Sequence, residues 1–114
     1  MAYDQDFANR IREELADVDG ITEKGMFGGL AFLLHGNMAV GIMSTGDLMV
    51  RVGPDGTEEA LARPHTRLFE MRGRSMTGWM IVEVDGVKTK RLLAPWVKRG
   101  AAFAASLPSK GKPG

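Results

Sequence analysis

The sequence predicts an α+β fold, a single antiparallel β-sheet with helices packed against it. Three observations carry this. Met26–Val52 holds three short apolar runs separated by the turn signals His35-Gly36-Asn37 and Ser44-Thr45-Gly46-Asp47, the pattern of an antiparallel meander. An apolar stripe at helical spacing precedes it, and an alanine-rich helical stretch follows near the end of the chain.

The elements follow in order. Asp4 is placed to cap a helix starting at Gln5, with Phe7, Ile11, Leu15 and Val18 on one face and Asp19-Gly20 as its stop. Arg10, Glu13, Glu14 and Asp17 form its solvated face. The meander is expected as strands at Met26–Leu34, Met38–Met43 and Asp47–Val52, with Gly28-Gly29 as a bulge inside the first. Gly53-Pro54-Asp55-Gly56 breaks the pattern, and Thr57–Leu61 is a short helical turn. Arg67–Met71 is a fourth strand, Arg72–Gly78 a loop, and Trp79–Val84 a fifth strand closed by Asp85-Gly86. A last helix lies within Lys88–Leu107, with Leu92, Trp96, Phe103 and Leu107 on its apolar face and Leu93, Val97 and Gly100 beside it. Pro95 requires the helix to start close by or to kink. The expected order is α-β-β-β-α-β-β-α, with about five strands.

At 114 residues the chain is expected to form one domain over residues 1–108, with a flexible basic tail at 109–114. A chain of this size buries about two-thirds of its unfolded surface, enough for one core. It contains no cysteine, which excludes disulfides, thiolate catalysis and cysteine-based metal sites. The N-terminus has no signal-peptide pattern and no apolar run reaches membrane-spanning length, so a cytoplasmic protein is expected. Net charge is +1 but unevenly spread: −4 over residues 1–20, −3 over 21–62 and +8 over 63–114. Either this polarity steers an anionic partner, or the acidic first helix folds back onto the basic C-terminal part.

The chain resembles the N-terminal domain of the TfoX/Sxy family. The resemblance rests on MFGG at Met26–Gly29, HGNMAVGI at His35–Ile42 and DLMVRV at Asp47–Val52. Met71–Trp79, Trp96-Val97 and Ser106-Leu107-Pro108 support it, so that it covers residues 3–108. The best-known members are two-domain regulators of bacterial competence, thought to act as coactivators with a cyclic-AMP receptor protein. The resemblance implies a stand-alone N-terminal domain, a role in transcription regulation, a protein partner such as a transcription factor, and room for a homodimer. It implies no catalytic residues; from the residues themselves no cofactor and no membrane partner are expected.

The chemistry read from the residues themselves is sparse. His35 and His65 stand alone in turn contexts, without metal-ligand or general-base spacing. Gly28-Gly29 matches no phosphate-binding motif, and no serine sits in a nucleophile elbow. Most of the eight methionines are expected in the core, with Met76 exposed, and Trp79 and Trp96 at core positions. The candidate anion or nucleic-acid contacts are Arg72 and Arg74, flanking Gly73, and the cluster Lys88, Lys90, Arg91, Lys98 and Arg99. Two classes of function follow. One is a non-enzymatic regulatory or protein-interaction module. The other is a small-molecule-binding domain or weak enzyme with a pocket between the meander and the helices.

Overall fold

The computed structural model describes residues 3–26 and 28–108. Phe27 of the MFGG motif and the tail at 109–114 lie outside the described residues. The order is α1 (Gln5–Glu14), β1 (Ile21–Met26), β2 (Gly29–Leu34), β3 (Asn37–Ile42), β4 (Leu48–Arg51), α2 (Thr57–Leu61), β5 (Thr66–Met71), β6 (Arg74–Val82) and α3 (Lys90–Ala105). Six strands form one antiparallel sheet in the order β1-β2-β3-β4-β6-β5.

The sheet has one strand more than expected. Within the predicted strand at Met26–Leu34, Met26 ends the first arm of a hairpin, Gly29–Leu34 is its second arm, and Gly28 (φ +77°) belongs to the turn rather than to a bulge. Its first arm, Ile-Thr-Glu-Lys-Gly-Met, has no apolar alternation because it is an edge strand with four exposed residues. The bulge lies further on, between Phe32 and Leu33. The predicted loop Arg72–Gly78 is mostly strand. Arg72 and Gly73 (φ +55° and +78°) make a two-residue turn, and β6 starts at Arg74.

Antiparallel register places directly opposed residues on one face. Phe32, Val40, Val50, Met80 and Leu68 form one row across the sheet, and Leu30, Ile42, Leu48 and Val82 the next. Both rows face the helices and join the main core with Phe7, Ile11, Leu93, Trp96 and Val97. The core fills the space between the meander and the helices, where the alternative reading places a pocket.

Asp4 caps α1 as expected, its Oδ1 accepting the Asp6 N–H at 2.9 Å. The helix ends at Glu14, before the predicted stop, and a turn closed by Val18 N–H to the Leu15 carbonyl (3.0 Å) leads toward β1. Arg10 and Glu14 are not solvated as expected. Arg10 donates to the Val87 carbonyl at 2.6 Å, and Glu14 pairs with Lys90 at 3.3 Å, so the acidic first helix does meet the basic last one. Helix α3 buries Leu93, Trp96, Val97, Gly100, Ala101 and Ala104. Its inward stripe is thus offset from the predicted one, and Leu92 is 45% exposed. Thr89 caps it by accepting the Leu92 N–H at 3.2 Å, and exposed Pro95 sits one turn inside. Among the described residues the two buried polar ones are both satisfied: Asn37 donates to the Pro108 carbonyl at 2.8 Å and Thr57 to the Gly53 carbonyl at 2.8 Å.

The edge strand β1 is fastened to α1 by a two-pronged contact. Arg12 Nε and Nη2 donate to the two oxygens of Glu23, each at 2.7 Å. The Arg12 hydrogen bond holds the Glu23 carboxyl below its ordinary range.

Two outcomes follow. Phe32 lies fully buried at the centre of its row, so Phe32→Ala is expected to destabilise the fold by about 3–5 kcal/mol, measured as a shift in urea midpoint at unchanged slope. For Glu23 the folded-state value lies below the unfolded one. Its contribution is therefore present above the unfolded carboxylate value of about 4.3 and is lost as pH falls through the folded value. Glu23→Gln should cost stability near neutral pH, and the difference from wild type should vanish in acid. Urea unfolding at about pH 7 and about pH 3 checks this.

Candidate functional site: a methionine-lined cleft

The sheet face away from the main core is also apolar. Its central row is Lys24, Ala31, Gly41, Met49, Ile81 and Arg67, apolar in the middle and cationic at both ends. Small residues make the floor of a hollow. A Cβ on Gly41 would lie 2.6 Å from Met38 Cε, so the methionine side chain occupies the space that glycine leaves.

The β5–β6 hairpin supplies the other wall. Leu68 pairs with Met80 and Phe69 with Met76, so Thr77, Gly78 and Trp79 are extra residues in β6. Gly78 (φ +92°) makes the bend, and its carbonyl accepts the N–H groups of Val52 (2.8 Å) and Gly53 (3.1 Å). Phe69, Met71, Met76 and Trp79 then line the cleft together with Met26, Met38, Met43 and Met49 from the sheet. The cleft holds about 350 Å³ and its walls are almost wholly apolar, with Ser44 the one hydroxyl-bearing residue among them. Six of the eight methionines are here. This corrects the expectation that most fill the core. Only Met80 does so. Trp79 is likewise a cleft residue, with the Arg51 guanidinium 4.7 Å from its ring, whereas Trp96 is in the core as expected.

The candidate anion contacts do not gather into one patch. Arg72 and Arg74 sit at the hairpin tip. Lys88 pairs with Asp85 at 3.6 Å and Lys90 with Glu14 at 3.3 Å. Arg99 contacts Glu59 and donates to the Gly56 carbonyl at 3.1 Å. Glu59 is held below the ordinary carboxylate range by Arg99 first and Arg63 second. Arg91 and Arg99 line a groove of about 680 Å³ with Arg63, His65 and Trp96, and Lys98 is exposed nearby on α3. Five of the seven candidates thus belong to the helix side, and three of those five are engaged by acids of this chain. His35 and His65 occupy exposed turns with positive φ (51° and 64°), and His65 Nδ1 lies 3.8 Å from Glu83. Among the described residues, no three histidine or acidic side chains gather as a metal site would require.

A signal for the cleft was present in the sequence. Ala31, Gly41 and Met49 are small or apolar at positions alternating with the core rows, whereas Met38 has the same parity as Val40 and Ile42 and reaches this face only through the bulge.

This geometry defines an α+β domain with its helices on one sheet face and an apolar cleft on the other. The family model of the TfoX N-terminal domain matches residues 13–104. The chain belongs to the TfoX N-terminal domain family. The matched span runs from α1 into α3 and includes all six strands. No curated protein matches the chain. Among the described residues no helix is long and apolar enough to cross a membrane.

Exposure ranks the cleft methionines chemically. Met71 is 45% and Met76 36% exposed, while Met80 is fully buried. Limited hydrogen peroxide should convert Met71 and Met76 to sulfoxides first and Met80 last, read by peptide mass spectrometry.

Proposed function

We propose that this domain is a non-enzymatic protein-interaction module and that the methionine cleft is its docking surface. The single observation behind this reading is the apolar cleft on the sheet face that the helices leave uncovered. Methionine side chains are flexible and polarisable, and they suit surfaces that must repack around a partner's apolar side chains. A catalytic pocket brings polar groups and shifted ionisable residues together. The two shifted carboxyls, Glu23 and Glu59, are instead engaged with arginines outside this cleft. The resemblance to the TfoX/Sxy regulators favours a cytoplasmic role in transcription regulation, with a regulatory protein as the partner.

Two variants separate docking from folding. Met49→Glu puts a carboxylate on the cleft wall. Gly41→Ala drives the Met38 methyl aside, because the new Cβ would lie 2.6 Å from it. Both should keep a cooperative melt and lose at least about tenfold of the affinity for the protein captured from the native host, measured by titration with the purified partner. Unchanged affinity in both variants would sink the docking reading. Turnover of a small substrate that these variants abolish would replace it with an enzymatic one.

A further inference from the structure

Resting on that reading, the geometry points to an acidic amphipathic helix as the segment of a partner protein that occupies the cleft. Two observations choose it.

The first is hydrogen bonding. The floor lies on the middle strands β2, β3 and β4, whose backbone groups are used by ladders on both sides. The walls offer almost no polar atoms. An extended peptide laid over this floor would leave its own N–H and C=O groups unpaired, which is costly in an apolar setting. A helix satisfies its backbone internally and projects apolar anchors one turn apart. A polar metabolite would meet the same lack of orienting groups.

The second is charge. Arg74 is directly opposite Met71 on the hairpin and Lys24 directly opposite Ala31 on the sheet, so both cations share faces with cleft-lining residues. Arg72 is in the turn that leads into Arg74. Neither Lys24, Arg72 nor Arg74 has an acid within 4.0 Å among the described residues. At the far end of the hairpin Asp47 accepts the Val84 N–H at 3.2 Å and faces Arg67 at 3.7 Å, and Glu83 faces His65 at 3.8 Å. Glu70, opposite Ser75 and one position out of the Met71–Arg74 row, is the acid on the hairpin itself and lies more than 4.0 Å from both arginines. An apolar floor with free cations at its rim is complementary to leucine-type anchors flanked by Asp and Glu.

The test uses the full chain labelled with ¹³C in its methionine methyl groups and two synthetic helices of about 18 residues. Both carry leucines at helical spacing, with glutamates on the remaining positions of one and lysines on those of the other. The acidic helix should shift the methyl signals of Met38, Met49, Met71 and Met76 and leave Met80 in place. It should bind at least about tenfold tighter than the basic helix, with the preference shrinking as salt rises. Lys24→Glu combined with Arg74→Glu, both at exposed positions, should reverse the preference. Equal binding of the two helices would overturn the acidic assignment and leave the docking cleft standing. Binding of decanoate with no response to either helix would overturn both, in favour of a small amphiphile. Concentration-dependent shifts of the same methyls in the protein alone would assign the cleft to a second copy and overturn the inference.

Discussion

The constraint on which the structure depends is the alternation of side chains along the strands of a sheet that is apolar on both sides. In β2, β3 and β4 one set of positions carries Phe32, Val40 and Val50, and the alternating set carries Ala31, Gly41 and Met49. A one-residue slip would exchange them, putting bulky branched groups over the cleft and small ones under the helices. In β2 and β3 the difference in volume, Phe32 against Ala31 and Val40 against Gly41, holds the register. It also leaves a filled core on one side and a hollow on the other.

Both helical caps and the edge contact serve that sheet. Helix α3 lies across β3 and β4, and α1 packs on α3. The Arg12–Glu23 contact then fastens the polar edge strand to α1 without adding apolar surface. Charged side chains on an exposed edge discourage pairing with another chain. The hairpin that covers the cleft depends on one bend at Gly78, where a Cβ would come within 3.1 Å of the Gly53 backbone.

Charge is distributed by the same logic. Much of the positive surplus of the C-terminal half is used internally: Lys90 on Glu14, Arg99 on Glu59, Lys88 on Asp85. The cations without an acid close by include those at the hairpin tip and on β1, far apart in sequence and adjacent to the same apolar surface. A net charge of +1 conceals this arrangement.

The α+β class, the meander, the cap at Asp4, the short helix at Thr57 and the burial of Trp96 are all legible in the amino-acid order. Each rests on a local signal: periodicity, a turn residue or a capping side chain. The family membership was legible for the same reason, since MFGG and the two strands after it are contiguous. Strand β1 was missed because an edge strand with one half-buried residue at each end has no alternation to read. The inward stripe of α3 was displaced because Leu92 and Leu93 both fit a helical pattern, and only packing on β3 and β4 chooses between them. The tertiary structure alone decided that six methionines line a cleft rather than fill the core. Methionine is apolar wherever it stands, and which side of a sheet it faces becomes defined only when the helices cover one side and leave the other.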